Sequence, residues 1–192
     1  MRLSLSVILL FAVNFICSAQ KRVDKKEVLT IGGIRQLIWL KGADDTRPIF
    51  LFLHGGPGNS VMPYAQKFCD QLYKHFIVVH WDQRGAGETA KLNSECGPFT
   101  LRTFQDDAEQ LVDSLLARLG RKTLFVAGHS WGTALGFHLV RTRPAQISAF
   151  IAIGAMVNQW ESERIALKLM KAKAVRERDT TALNELNQIQ IP

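Results

Sequence analysis

Hydrophobic and polar positions change their spacing repeatedly along this chain, and each change marks an element. Residues 28–31 and 34–40 alternate or run apolar around Gly32-Gly33, which predicts a β-hairpin. Residues 48–53 form a short unbroken apolar run, as in a strand buried on both faces of a sheet. Residues 64–73 have a helical pattern, and 76–81 is a second buried strand. Thr100 is placed to cap a long amphipathic helix whose apolar face carries Leu101, Phe104, Ala108, Leu111, Leu115 and Leu119, with Gly120 as its stop. A strand over 123–127, a helix over 133–141 and a strand over 147–153 follow. Beyond Trp160 the strands cease: one helix is predicted over 161–178, and Asp179 caps another over 180–188. Strands alternating with helices predict an α/β protein with a doubly wound, mostly parallel sheet and right-handed crossovers.

The N-terminus departs from that alternation. Arg2 is followed by an apolar run over 3–16 and by the small residues Cys17-Ser18-Ala19. This order of charge, apolar run and small residues predicts a secretory signal peptide over 1–19, cut before Gln20, and hence an exported (periplasmic or extracellular) protein. The run is too short for a stable membrane span. Acylation of Cys17 is the runner-up, although Asn14 and Ile16 suit the positions before a lipoprotein cysteine poorly. The domain division is then 1–19 signal peptide, 20–157 core, and 158–192 the beginning of a helical cap.

Composition changes this picture little. The chain has 192 residues, of which 47% are hydrophobic, ordinary for one globular domain. Its formal charge of +7 is spread along the chain, densest over 168–178, with no aromatic-interleaved basic patch. A solvated basic surface is expected, and no nucleic-acid partner. Cys69 and Cys96 would survive removal of the leader; they could pair in an oxidising compartment but form no disulfide framework. No spacing resembles a metal site, and no cofactor is implied.

Three stretches carry chemistry. Gly128, Ser130 and Gly132 form Gly-x-Ser-x-Gly between a strand and a helix. In a nucleophile elbow the serine crowns a sharp strand-to-helix turn, and the flanking glycines let the two elements approach closely. The competing reading is a serine that merely caps the helix. His54-Gly55-Gly56-Pro57-Gly58 follows a buried strand, where glycines could turn a backbone N–H toward a substrate oxygen; otherwise it is a tight turn. Asp82-Gln83-Arg84-Gly85-Ala86-Gly87 follows the next strand, and there Asp82 and Arg84 are read as fixing the loop rather than as catalytic.

Taken together, residues 54–58, 82–87 and 128–132 resemble the proline iminopeptidase-like branch of the α/β-hydrolase superfamily, over about residues 32–153. The resemblance implies Ser130 as nucleophile, an oxyanion hole made by the backbone N–H groups of Gly56 and Trp131, a Ser-Asp-His triad and a small peptide or ester substrate. Two departures stand out: His129 replaces a glycine usual in those peptidases, and 152–160 lacks their Arg-Gly-Ile-Phe-like stretch.

The triad is not legible. The fold orders its triad as serine, acid, histidine, yet no histidine follows His138. His138 would lie about 12 Å along the helix from Ser130 at ~1.5 Å per residue, beyond the ~3.2 Å reach of a general base. His54, His75 and His80 suit packing or loop hydrogen bonds, and Glu161, Glu163, Glu177, Asp179 and Glu185 suit solvated helix faces. The expectation is therefore a sheet of α/β-hydrolase type truncated before its C-terminal strands, followed by the start of a cap. The expected activity is acyl transfer by a serine hydrolase of aminopeptidase or esterase type. The alternatives are a non-catalytic hydrolase-fold binding protein and a lipid-anchored surface protein.

Overall fold

A computed structural model describes residues 21–191, so the expected signal peptide and Cys17 lie outside the described residues. Six strands form one sheet in the order β1-β2-β4-β3-β5-β6. They are β1 (Val23–Ile31), β2 (Ile34–Gly42), β3 (Ile49–Leu53), β4 (Ile77–Trp81), β5 (Leu124–His129) and β6 (Ile147–Ile153). β1, β2 and β4 pair antiparallel, whereas β4, β3, β5 and β6 run parallel. The hairpin turns on Gly32 and Gly33 at φ 55° and 76°, a two-residue turn open mainly to glycine. It is longer than its apolar run because β1 pairs with β2 all the way from Val23↔Gly42 to Ile31↔Ile34, with charged residues on the solvent face.

The strict alternation of β3, β4 and β5 divides the interior into two cores. On one face Leu51, Leu53, Val79, Trp81, Leu124 and Val126 meet helix α3 (Leu101–Leu119). On the other, Phe50, Phe52, Val78 and Ala127 meet Val61, Cys69 and Tyr73, the last two carried by the short helix α1 (Ala65–Cys69) and a 3₁₀ turn (Leu72–Lys74). One continuous helix over 64–73 is thus not what forms. The backbone N–H of Ala43 donates to the Tyr73 carbonyl at 2.8 Å, so pairing to the end of β2 takes over from helix continuation.

Thr100 caps α3 by accepting from the Thr103 N–H, and Gly120 closes it in the left-handed conformation. Phe104, Ala108, Leu111 and Leu115 are buried as expected, but Leu101, in the first turn, is exposed. A helix absent from the sequence reading, α2 (Gly87–Leu92), follows the loop after β4. Helix α4 (Trp131–Thr142) follows β5 directly. After β6 come α5 (Gln159–Glu177), capped by Asn158, and α6 (Thr180–Gln188), capped by Asp179. These two pack against each other and leave Trp160, Ile165, Leu169 and Val175 exposed. Among the described residues no helix is long and apolar enough to cross a membrane.

Candidate active site

The β5–α4 junction has the geometry that the Gly-x-Ser-x-Gly pattern demands. Ser130 sits at φ 50°, ψ −118°, a positive-φ conformation that costs a non-glycine residue roughly 1–3 kcal/mol. The flanking glycines allow close approach: a Cβ on Gly132 would run into the Leu53 carbonyl oxygen, and one on Gly128 would lie 2.5 Å from the Gly132 oxygen. Ser130 occupies the N-cap position, yet its side chain makes no capping hydrogen bond. The cap reading therefore fails. The Ser130 N–H donates to the Ile153 carbonyl at 2.9 Å, tying the strained residue to the end of β6.

The glycine loop after β3 lies against this elbow. A Cβ on Gly55 would stand 3.3 Å from the Ser130 Cβ and 3.2 Å from the His129 Nδ1. Gly56 has φ 119° and Gly58 φ 99°, and the Gly56–Pro57 bond is cis. The loop after β4 joins both. The Gln83 amide donates to the His54 carbonyl at 3.0 Å, and the Trp131 indole N–H donates to the Gln83 Oε1 at 3.2 Å. Gln83, His54 and Thr133 are all fully buried. The Gln83 side chain was absent from the sequence reading; its signal, a polar residue directly after a buried strand, was present but not distinctive.

Asp82 and Arg84 do hold the loop, through different partners. Asp82 accepts from the Ser60 hydroxyl and, at 2.8 Å, from the Glu88 N–H at the start of α2. Arg84 forms a two-pronged pair with Asp107 of α3, both bonds at 3.0 Å, and also reaches the carbonyls of Gly32 and Cys96. Gln36 donates to Asp107 at 2.8 Å and accepts from the Trp81 indole at 2.8 Å, so every polar group of this buried cluster has a partner. Asp107 was missed although the signal was legible: it is a carboxylate on the buried stripe between Phe104 and Leu111.

His54, His80 and His138 are engaged away from Ser130. His138 is bound to Glu109 at 2.7 Å, and Glu109 also accepts from Arg143. Burial costs the Glu109 carboxylate, but hydrogen bonds from Arg143 and His138 outweigh it and lower its pKa. His80 meets the Tyr73 hydroxyl at 3.0 Å, and burial, with the Lys41 charge second, lowers its pKa to about 4. Burial likewise lowers that of His54. His75 ends the 3₁₀ turn before β4, far along the strand from the elbow. Cys69 and Cys96 are unpaired; Cys69 is buried, which pushes its thiol up to about 12. Among the described residues no histidine, cysteine or carboxylate cluster could hold a metal ion.

A cavity of about 300 Å³ opens beside the elbow, between Gly55 and His129, with Phe52, Val61, Tyr64, Phe68 and Ile153 as walls. A larger one of about 420 Å³ lies by Arg22, Lys41 and Lys74, at the opposite ends of the parallel strands. Ligands of open α/β sheets bind outside the carboxyl ends of the strands, which favours the smaller cavity.

Comparison with known proteins agrees with this geometry. The family described as the alpha/beta hydrolase fold matches residues 48–187. The chain is 35% identical over 147 residues to the "Probable aminopeptidase YbaC" of Bacillus subtilis (strain 168), covering 77% of this chain and 46% of that protein. It is 28% identical over 127 residues to a proline iminopeptidase of Arabidopsis thaliana, covering 66% of this chain and 31% of the relative. Among solved structures, the epoxide hydrolase VrEH1 of Vigna radiata aligns with TM-score 0.55 at 26% identity, over 67% of this chain and 39% of that one. A proline iminopeptidase-related protein of Thermus thermophilus aligns with TM-score 0.63 at 22% identity, over 88% of this chain and 57% of that one; at that identity the likeness is one of fold. The chain spans less than half the length of these curated relatives.

Proposed function

The chain belongs to the α/β-hydrolase fold family, in its proline iminopeptidase-like branch, and on that premise we propose that it is a serine hydrolase acting by acyl transfer on a small peptide or ester, most like an aminopeptidase. The observation that carries this reading is Ser130, held at φ 50° with a hydroxyl that does not cap its helix. Its Oγ attacks the substrate carbonyl carbon and gives up its proton to a base. The oxyanion is held by the N–H groups of Gly56 and Trp131, and the proton passes to the departing amine or alcohol. Water then releases the acyl group by the same steps in reverse.

The base and its acid lie, on this proposal, outside the described residues. Supporting this, His54, His80 and His138 are buried and bonded elsewhere. The strand β6 also leaves Ile151 and Ile153 about half exposed, as expected of a strand awaiting a neighbour. Export is proposed on the N-terminal pattern alone, and a mature protein beginning at Gln20 by mass spectrometry is its check.

The test is Ser130→Ala in the intact natural protein, assayed on aminoacyl 4-nitroanilides and 4-nitrophenyl acetate. Loss of at least ~10³-fold in kcat with an unchanged melting temperature is expected. Retained turnover would sink the nucleophile. The same panel separates a peptidase from an esterase. A second reading, a hydrolase-fold binding protein without catalysis, is favoured by the engagement of His54, His80 and His138 with other partners, which leaves Ser130 without a base from any of them; intact protein that neither turns over the panel nor reacts with a fluorophosphonate would establish it. Residues 20–192 expressed alone are expected to be inactive and unlabelled by that probe.

A further inference from the structure

The peptide unit between Gly55 and Gly56 is trans, since the cis bond in this loop falls one residue later. In a trans unit the C=O and the following N–H point in opposite directions. Whatever grips the Gly55 carbonyl therefore aims the Gly56 N–H. The Nδ1 of His54 lies 2.8 Å from that carbonyl oxygen. The other ring nitrogen, Nε2, accepts from the backbone N–H of Gln83 at 3.1 Å. A nitrogen that accepts carries no proton, so neutral His54 must carry its proton on Nδ1 and donate it to Gly55. Burial, which disfavours the imidazolium, acts in the same direction.

The Gln83 side chain completes a clamp. It donates to the His54 carbonyl and accepts from the indole of Trp131, whose backbone N–H is the other proposed donor. Neither His54 nor Gln83 touches solvent. We propose that His54 and Gln83 are positioning residues that jointly aim the two oxyanion donors, His54 setting the peptide plane that carries the Gly56 N–H and Gln83 fixing that loop against Trp131. The inference rests on the acyl-transfer reading above and adds to it which side chains orient the oxyanion site. Pre-orientation matters because donors that need not reorganise when charge develops account for much of the rate.

Two near-isosteric replacements separate aiming from mere filling. Asparagine at 54 offers an amide N–H near the Nδ1 position and can grip Gly55; glutamine offers an acceptor near the Nε2 position and satisfies only the Gln83 N–H. In the intact protein, with 4-nitrophenyl acetate as probe, His54→Gln is expected to lower kcat roughly 10- to 100-fold with KM nearly unchanged. His54→Asn is expected to recover most of that loss. Gln83→Met should lower kcat about 10-fold by the same route. A purely structural role predicts instead that glutamine equals or exceeds asparagine, and that result overturns the inference. Should both variants misfold, ring ¹⁵N shifts of His54 in the wild type decide: a protonated Nδ1 with a bare Nε2 supports the clamp, and the opposite tautomer refutes it. Turnover surviving Ser130→Ala would remove the parent reading together with this one. A silent His54→Gln in a protein that Ser130→Ala inactivates would remove this one alone.

Discussion

Two regions of the molecule are built from similar amounts of apolar sequence and end differently. Around α3, the strands β3, β4 and β5 and the helix close on one another so that Leu51, Leu53, Leu111 and Val126 are wholly buried. From β6 onward, Ile151 is 50% exposed, Leu169 65% and Val157 86%. The difference lies in partners rather than composition. A side chain contributes ~25 cal/mol per Å² only when something removes its surface from water. The glycine loop after β3 and the elbow rest on the closed region, so their positions are determined there. A backbone bond from Ser130 to Ile153 ties the elbow to the open region.

The sharpest way to break the closed region is through its buried charges. Arg84 and Asp107 are 2% and 1% exposed in their side chains, and Arg84→Met leaves the carboxylate buried without its cation. A loss of about 3–5 kcal/mol is expected in urea unfolding of the intact protein. A loss under ~1 kcal/mol would mean that the pair is bypassed. A matched pair of truncations tests the comparison directly. Leu111→Ala, at a fully buried site, should cost about 2–5 kcal/mol. Leu169→Ala, in the open region, should stay within about 0.5 kcal/mol. Equal effects would show that α5 is covered in the intact protein.

A smaller effect comes from pH. His80 titrates at about 4 in the folded protein against 6.5 for an unperturbed histidine, because burial disfavours its charged form. As pH falls from 6.5 toward 4, the unfolded chain takes up a proton that the folded site refuses, so stability falls. Across that window the loss approaches about 3 kcal/mol, with no further contribution from this group below it. His80→Phe should flatten that part of the stability–pH curve; an unchanged slope would assign it to other groups. In residues 20–192 alone, Ile151→Lys on the exposed strand should change stability by no more than about 0.5 kcal/mol, yet it should reduce self-association in light scattering.

By itself the sequence determined the elements whose signals are local. The Gly-Gly hairpin, the Thr100 and Asp179 caps, the left-handed Gly120 and the glycine-flanked serine all lie where the pattern put them, because turns and caps depend on neighbours a few residues away. It also showed the family resemblance, carried by three loops in order. The structure alone decided what depends on residues far apart in the chain. It broke the helix at α1 because Tyr73 bonds back to β2, and it turned out α2 behind Asp82. It paired Arg84 with Asp107, 23 positions away, and joined Gln83 to Trp131 across 48. Such contacts have no local signature: a buried polar residue announces that it needs a partner, but only the packing of strands and helices decides which one it finds.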